Sequence, residues 1–276
     1  VVVGLGLLFG NGAASYLSRL LGKGDKEKAN QVASTALYSS ITVGVIMIIF
    51  SMIFLHPILK LLGATDSIMP YAVTYASIYI VSCIFNVFNV TMNNIVTSEG
   101  AAKTTMLALM AGAILNIGLD PVFIYVLDMG VAGAAIATAI SQIISTLVYL
   151  TFVLRKKSIY NFRIKNCTFT KEIISEIFKI GIPTLVFQIL TSLSISLVNT
   201  QARPYGDSVI AGMGAVTRVV SMGSLMVFGF IKGFQPIAGY SYGAKKFDRL
   251  HEAIKTSIIW STAFCVIYGL VLTIFS

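Results

Sequence analysis

Residues 104–127 read TTMLALMAGAILNIGLDPVFIYVL, an apolar run whose one charge is Asp120. A helix crossing a bilayer needs about 20 mainly apolar residues, and a water-facing surface cannot be assembled from such a run. The rest of the chain repeats the pattern. Residues 1–18, 29–59, 67–98, 129–154, 180–202 and 256–276 contain no Asp, Glu, Lys or Arg, and residues 209–239 contain only Arg218 and Lys232. This predicts an all-α, polytopic transmembrane bundle of about eight spans. A transmembrane barrel would show short segments alternating apolar and polar residues, and no such alternation is present.

Composition agrees. Of 276 residues, 56% are hydrophobic and 11% charged, against about a quarter charged in soluble proteins; mean hydropathy is +0.86. Such hydrophobicity excludes a disordered chain. Three scattered cysteines, Cys83, Cys167 and Cys265, build neither a disulfide framework nor a thiolate metal site.

The net charge of +9 acquires its meaning from position. Sixteen of the twenty Lys and Arg fall in four segments that alternating spans place on one side: Arg19 to Lys28, Lys103, Arg155 to Lys179, and Lys245 to Lys255. Basic residues in short loops are retained in the cytoplasm. The charge therefore predicts orientation in a cell (inner or plasma) membrane, with no nucleic-acid partner. The opposite turns carry Lys60 as their basic residue.

The most polar stretch, residues 155–179, reads as a cytoplasmic linker between an N-terminal lobe (1–154) and the start of a C-terminal one (180–276), with residues 175–179 as an interfacial helix. Both ends fall inside apolar helices, so truncation at each end is expected. An offset of 221 positions sets Phe9, Gly12 and Gly22 on Phe230, Gly233 and Gly243, and sets GKGDKEKANQVAST on GAKKFDRLHEAIKT. Identity is low, but one period holds six spans, so both turns face the same side, as their charges independently require. Parallel repeats of this kind are a transporter plan.

Asp120 is the sharpest single residue. An acid at the centre of a spanning helix costs about 2.5–3.5 kcal/mol on insertion scales and marks an ion or substrate path; the bland alternative is a solvated helix end. Asn116 lies one turn earlier on the same face, and Pro121 deprives the Ile117 carbonyl of its helical donor. These groups would make a partial site for a proton or Na⁺. The next span carries the small residues Gly130, Gly133, Ala137 and Ser141, which allow close helix packing in lipid. Thr138 lies on that span and either completes the Asp120 site or bonds its own backbone. Arg218 and Lys232, fourteen residues apart, share a helix face. They line a cavity or, as favoured for Lys232, snorkel to the interface. Enzyme motifs are absent: the glycine-rich stretches match no nucleotide-binding spacing, HEAIK is not HExxH, and His56 and His251 fall on opposite sides of the membrane. No enzymatic activity and no cofactor are expected beyond the coupling ion.

Several stretches resemble the multidrug and toxic compound extrusion (MATE) transporters: ILNIGLDPVFIYVLDMGVAGAAIATAISQ above all, then SRLLGKGDKEKA, SEGAAKT, IGIPT and GFQPIAGYSYGAKKFDRL. The resemblance covers the whole chain as helices two to nine of twelve. It implies a proton- or sodium-driven antiporter in which two six-helix lobes rock about a central cavity and expel amphipathic, often cationic compounds, with the protein a monomer in the bilayer. The positions matching the family's N-lobe cation site are Asn116, Asp120 and Thr138. Some branches carry a Glu in the helix corresponding to residues 185–202, where this chain has only Gln188 and Thr191 as polar candidates. With Arg218 they are the expected cavity residues, and coupling is expected through the N-lobe. A flippase for lipid-linked precursors is the nearest alternative and would favour Arg203, Arg218 and Lys232 pointing inward together. A receptor or channel, and a membrane enzyme, fit less well.

Overall fold

The computed structural model describes residues 2–61, 69–202 and 207–274. Within them the regular elements are helices, with no strand: α1 (Val2–Lys23), α2 (Lys26–Ile53), the short α3 (Leu55–Leu61), α4 (Met69–Ser98), α5 (Ala102–Pro121), α6 (Gly130–Leu154), α7 (Lys171–Ala202), α8 (Asp207–Gly243) and α9 (Phe247–Ile274). Among the described residues seven helices are long and apolar enough to cross a membrane. The difference from eight is α1, which has the length at 22 residues but is diluted by glycines, serines, Asn11 and Arg19.

That composition suits the position of α1 at the centre, where it packs against α2, α4, α7 and α8. Its Leu17, Ala13 and Leu20 are buried with Val32 and Ala36 of α2 and Met92, Ile95 and Val96 of α4. Lipid tails compete on equal terms with apolar side chains, so close backbone approach holds such helices together. A methyl group on Gly12 would strike the carbonyl oxygen of Ile177 in α7, and one on Gly181 of α7 would strike that of Leu8. Some buried hydroxyls are satisfied within their own helix, as where Ser18 donates to the Ala14 carbonyl (2.9 Å) and Ser141 to that of Ala137 (2.8 Å).

The contact of α1 with α8 has a symmetry that bears on the internal repeat. A methyl on Gly22 would strike the Tyr240 carbonyl, one on Gly243 would strike the Arg19 carbonyl, and Gly239 faces Ser18. Each pair, 18 with 239, 19 with 240 and 22 with 243, is separated by 221 positions. Equivalent residues facing one another is the signature of an isologous contact about a two-fold axis. Geometry thus supports the offset that low sequence identity left weak.

The basic turns gather at this end. Gly24 (φ +79°) and Asp25, whose carboxylate accepts from the Lys28 amide at 3.0 Å, reverse the chain from α1 into α2. Gly100 (φ +85°) does the same between α4 and α5. At the same end Arg19 pairs with Glu176 (2.6 Å) and Lys28 with Glu172 (2.6 Å). Both acids belong to α7, which begins at Lys171 and runs unbroken. Residues 175–179, expected as an interfacial helix, are instead turns of α7, and Ile173 and Ile177 are buried against α1 and α2.

The preceding linker is a strap laid across the N-terminal helices. Thr35 donates to the Thr168 carbonyl (3.2 Å), Tyr38 to that of Phe162 (3.1 Å) and Ser34 to that of Asn161 (3.2 Å). At its start Glu99 Oε2 accepts from the Ser158 hydroxyl (2.9 Å) and the Ile159 amide (2.7 Å), while Oε1 is buried without a partner. Burial outweighs these hydrogen bonds and lifts the carboxyl to about 7. For an acid raised on docking, the docked strap binds a proton that the undocked one releases. Docking is therefore strongest at low pH, weakens from about 4.5 to about 7 and levels off above, a span of about 3 kcal/mol. The Ile159 amide should exchange hydrogen more slowly at pH 5 than at pH 8, after correction for intrinsic rates, and Glu99→Gln should abolish the difference. Protection independent of pH in the wild type would contradict this.

Candidate functional site

Asp120 lies near the end of α5, but the helical rod continues through the π-turn Val122–Val126, so the carboxylate sits about 9 Å from the rod's end. It is half-buried, and Asn116 Nδ2 donates to its Oδ1 at 3.2 Å. Pro121 lies where the winding changes from α to π, consistent with its lost donor. The α6 helix closes on this segment through small residues: Gly133 approaches the Phe123 carbonyl, and Ser145 donates to the Ala108 carbonyl at 2.9 Å beside Gly112. Thr138 is half-buried on α6, and its hydroxyl donates to the Ala134 carbonyl at 3.0 Å. The geometry therefore joins Asn116 to Asp120 directly, and Thr138 to its own helix with its oxygen lone pairs still available.

The expected cavity residues fall elsewhere. Gln188 is half-buried on α7 beside Gly4 of α1. Thr191 is exposed and donates to the Phe187 carbonyl at 2.8 Å. Arg218 is exposed on α8 and forms no ion pair among the described residues. Arg203 lies outside the described residues. These three positions are not gathered with Asp120, since α5 packs on α4 and α6 whereas α7 packs on α1 and α8.

Lys232 departs from the snorkelling expectation. Its stem is bare, but Nζ reaches inward and donates to Asn93 Oδ1 at 3.2 Å, while Asn93 Nδ2 donates to the hydroxyl of fully buried Tyr149 at 3.2 Å. One chain of hydrogen bonds thus ties α8 to α4 and α6. An ammonium among apolar helices gains more from a buried amide oxygen than from stretching toward an interface. With Lys232 so engaged and Arg218 exposed, the cationic cavity that a flippase would favour is not formed by this pair.

Beside this chain, Asn89 donates to the Gln142 carbonyl (2.9 Å) and side-chain oxygen (2.8 Å) and accepts from Thr146 (3.0 Å). Asn86, Asn89, Asn93 and Asn94 were passed over in the sequence because α4 carries no charge. Four amides in one apolar helix, at spacings that place three on a common face, were the available signal. Asn89 and Asn93 tie α4 to α6, Asn94 donates to the Val90 carbonyl of its own helix at 2.7 Å, and Asn93 extends to α8.

Comparison with known proteins places these features in a family. The MatE family model matches residues 1–122 and 183–276. The multidrug export protein MepA of Staphylococcus aureus (strain NCTC 8325 / PS 47) is 33% identical over 259 residues, 94% of this chain and 57% of the relative, and MepA of Staphylococcus saprophyticus is also 33% identical over 259 residues. This chain therefore spans a little over half the length of these relatives. A crystal structure of MATE in the straight conformation superposes with a TM-score of 0.93 at 27% identity, over 99% of this chain and 62% of that one. An outward-facing multidrug resistance MATE family transporter of the MOP superfamily gives 0.88 at 27%, over 99% and 60%. A MOP superfamily transporter from Pyrococcus furiosus, described as having a binding pocket of reverse polarity, gives 0.92 at 27%, over 100% and 61%. With seven apolar helices, a matching family model and relatives that align along nearly its whole length, this chain is a multi-pass membrane protein of the MATE transporter family.

Proposed function

We propose that the full-length protein is a secondary active antiporter that exports amphipathic, often cationic compounds in exchange for H⁺ or Na⁺. The observation that carries this reading is Asp120: one half-buried carboxylate, hydrogen-bonded to Asn116, in a helix whose other charge, Lys103, lies in the first turn at the opposite end. A group that must gain or lose a cation to sit comfortably in low dielectric couples ion occupancy to the conformation around it. Asn116 supplies an amide oxygen and Thr138 hydroxyl lone pairs as further ligands, and a cationic substrate competes for the same carboxylate.

In this reading residues 1–154 form the N-terminal lobe and residues 180–276 open the C-terminal one, with residues 155–179 joining them. The basic end faces the cytoplasm. Gln188, Thr191 and Arg218 border the substrate path, where Phe187 and Phe228 (ring centroids 6.4 Å apart) bring α7 and α8 together as an apolar wall. The unit is a monomer. Ethidium efflux from vesicles holding the full-length protein, under separately imposed pH and sodium gradients, tests the proposal. One gradient should drive efflux, and the matching ionophore should collapse it. Indifference to both gradients in active vesicles would reject ion coupling.

A further inference from the structure

The strap that joins α6 to α7 has two faces. On the inner one the Phe162 and Thr168 carbonyls accept from Tyr38 and Thr35 of α2, and the Tyr160 ring is buried. The outer one is basic and apolar at once. Residues 155–171 carry six Lys and Arg and no Asp or Glu. All six cations are exposed, and among the described residues none of them forms an ion pair. The next acids along the chain, Glu172 and Glu176, are already taken by Lys28 and Arg19. Among the cations stand Ile164, 70% exposed, and Phe169, 66% exposed.

Phe169 stands at the head of a groove between α2 and α7, lined further down by Val43, Ile174, Phe178 and, from α1, Phe9. Its empty space is about 640 Å³. That is less than two turns of a helix, which at about 10 Å across fill about 800 Å³, but ample for a single hydrocarbon chain. Lys171, Ile174 and Phe178 are spaced three and four apart, so one face of α7 carries a cation at the mouth and apolar surface below it. Arg163 and Lys165 lie between the strap's two bonds to α2 and so are held over the same mouth. One turn below Thr35, the half-buried Ser39 lines the groove, and its hydroxyl has no hydrogen-bond partner among the described residues.

We propose that this groove is the seat of an anionic phospholipid, with its phosphate held by Arg163, Lys165 and Lys171 and one acyl chain laid between α2 and α7 over Val43 and Phe178. The order of chemistry down the groove matches that of the lipid: cations for the phosphate, the Ser39 hydroxyl as donor to an ester carbonyl, then apolar side chains for the tail. A soluble acidic protein would answer the cations but leave the groove below them empty. The strap leaves α6 and enters α7, both of them spanning helices, which keeps its cations at headgroup depth, where basic pockets between helices recognise anionic lipids. So seated, the lipid braces the strap, α2 and α7 against one another.

The test uses the full-length gene product in vesicles of phosphatidylcholine and phosphatidylglycerol, with Phe178→Trp as reporter and the other tryptophans, Trp260 among them, replaced. Bromine atoms on an acyl chain quench a tryptophan that the chain touches. Brominated phosphatidylglycerol should occupy the groove at least about tenfold more tightly than brominated phosphatidylcholine, since each basic residue near the surface is worth about fivefold. Lys165→Gln and Lys171→Gln should each lower that preference about fivefold, and added salt should lower it in the unsubstituted reporter. Equal quenching by the two lipids would mean that the groove holds ordinary boundary lipid, and quenching by neither would mean that another segment of protein covers it; either result overturns the proposal. Phe169→Trp, at the mouth of the groove, keeps the test intact if Phe178→Trp fails to fold.

Discussion

Asp120→Asn in the full-length protein should reduce ion-driven efflux to background while leaving insertion and folding intact. The two side chains are nearly isosteric, and the bond that Asn116 Nδ2 gives to Asp120 Oδ1 at 3.2 Å is retained by an amide oxygen. What disappears is the capacity to carry a negative charge, hence to bind a proton or hold Na⁺ and to release it when the surroundings change. Removing the acid also removes the cost of about 2.5–3.5 kcal/mol for a charge in the bilayer, so the variant should be no less stable. The measurement is efflux normalised to the amount of protein in the membrane. Normal efflux by a normally expressed variant would remove Asp120 from the coupling mechanism. Thr138→Ala should have a smaller effect, because its hydroxyl, which gives its proton to the Ala134 carbonyl at 3.0 Å, offers the ion neutral lone pairs and no charge.

The second large effect is expected from Gly22→Ala combined with Gly243→Ala. Each added methyl meets a carbonyl oxygen of the opposite helix, of Tyr240 and of Arg19 respectively. A backbone oxygen cannot rotate aside as a flexible side chain can, so α1 and α8 must separate. Overpacking costs about 1–3 kcal/mol per site, and each 1.4 kcal/mol shifts an equilibrium about tenfold. The closed arrangement of the basic end should lose at least about tenfold in population. Ser241, fully buried on α8 between the two contact points, is the reporter. As Ser241→Cys in a background without native cysteines, it should react at least about tenfold faster with a membrane-permeant maleimide when both alanines are present. An unchanged rate would show that the glycine contact does not hold this end shut.

Much of the architecture was legible because membrane helices obey a one-dimensional constraint. Lipid satisfies no backbone polar group, so each crossing is written as one long apolar run, and basic residues mark the ends. Where the expectation departed from the structure, the signal was local and ambiguous. The α7 helix begins at Lys171 because Glu172 and Glu176 are balanced by Lys28 and Arg19, residues some 150 positions away that no window on the sequence connects. The α1 helix is short of apolar residues for the same reason that it is central: glycine and serine permit close packing, and a hydropathy count reads them as weakness.

The candidate site divides the same way. Asp120 and Asn116 were readable because one turn of helix separates them and a charge in an apolar run is conspicuous. Lys232 was misjudged because its partners, Asn93 and Tyr149, belong to other helices, and only their approach offers the ammonium an alternative to the interface.

By itself, then, the sequence determined the solvent of this protein, the approximate number of its crossings, its family and the acid that stands out in α5. The tertiary structure decided which helices touch. It turned a weak 221-residue repeat into a two-fold contact, drew Lys232 inward and laid the linker down as a strap. The physical reason is that crossing a bilayer is a property of each segment alone, whereas packing within it depends on shape and hydrogen bonding between segments far apart in the chain.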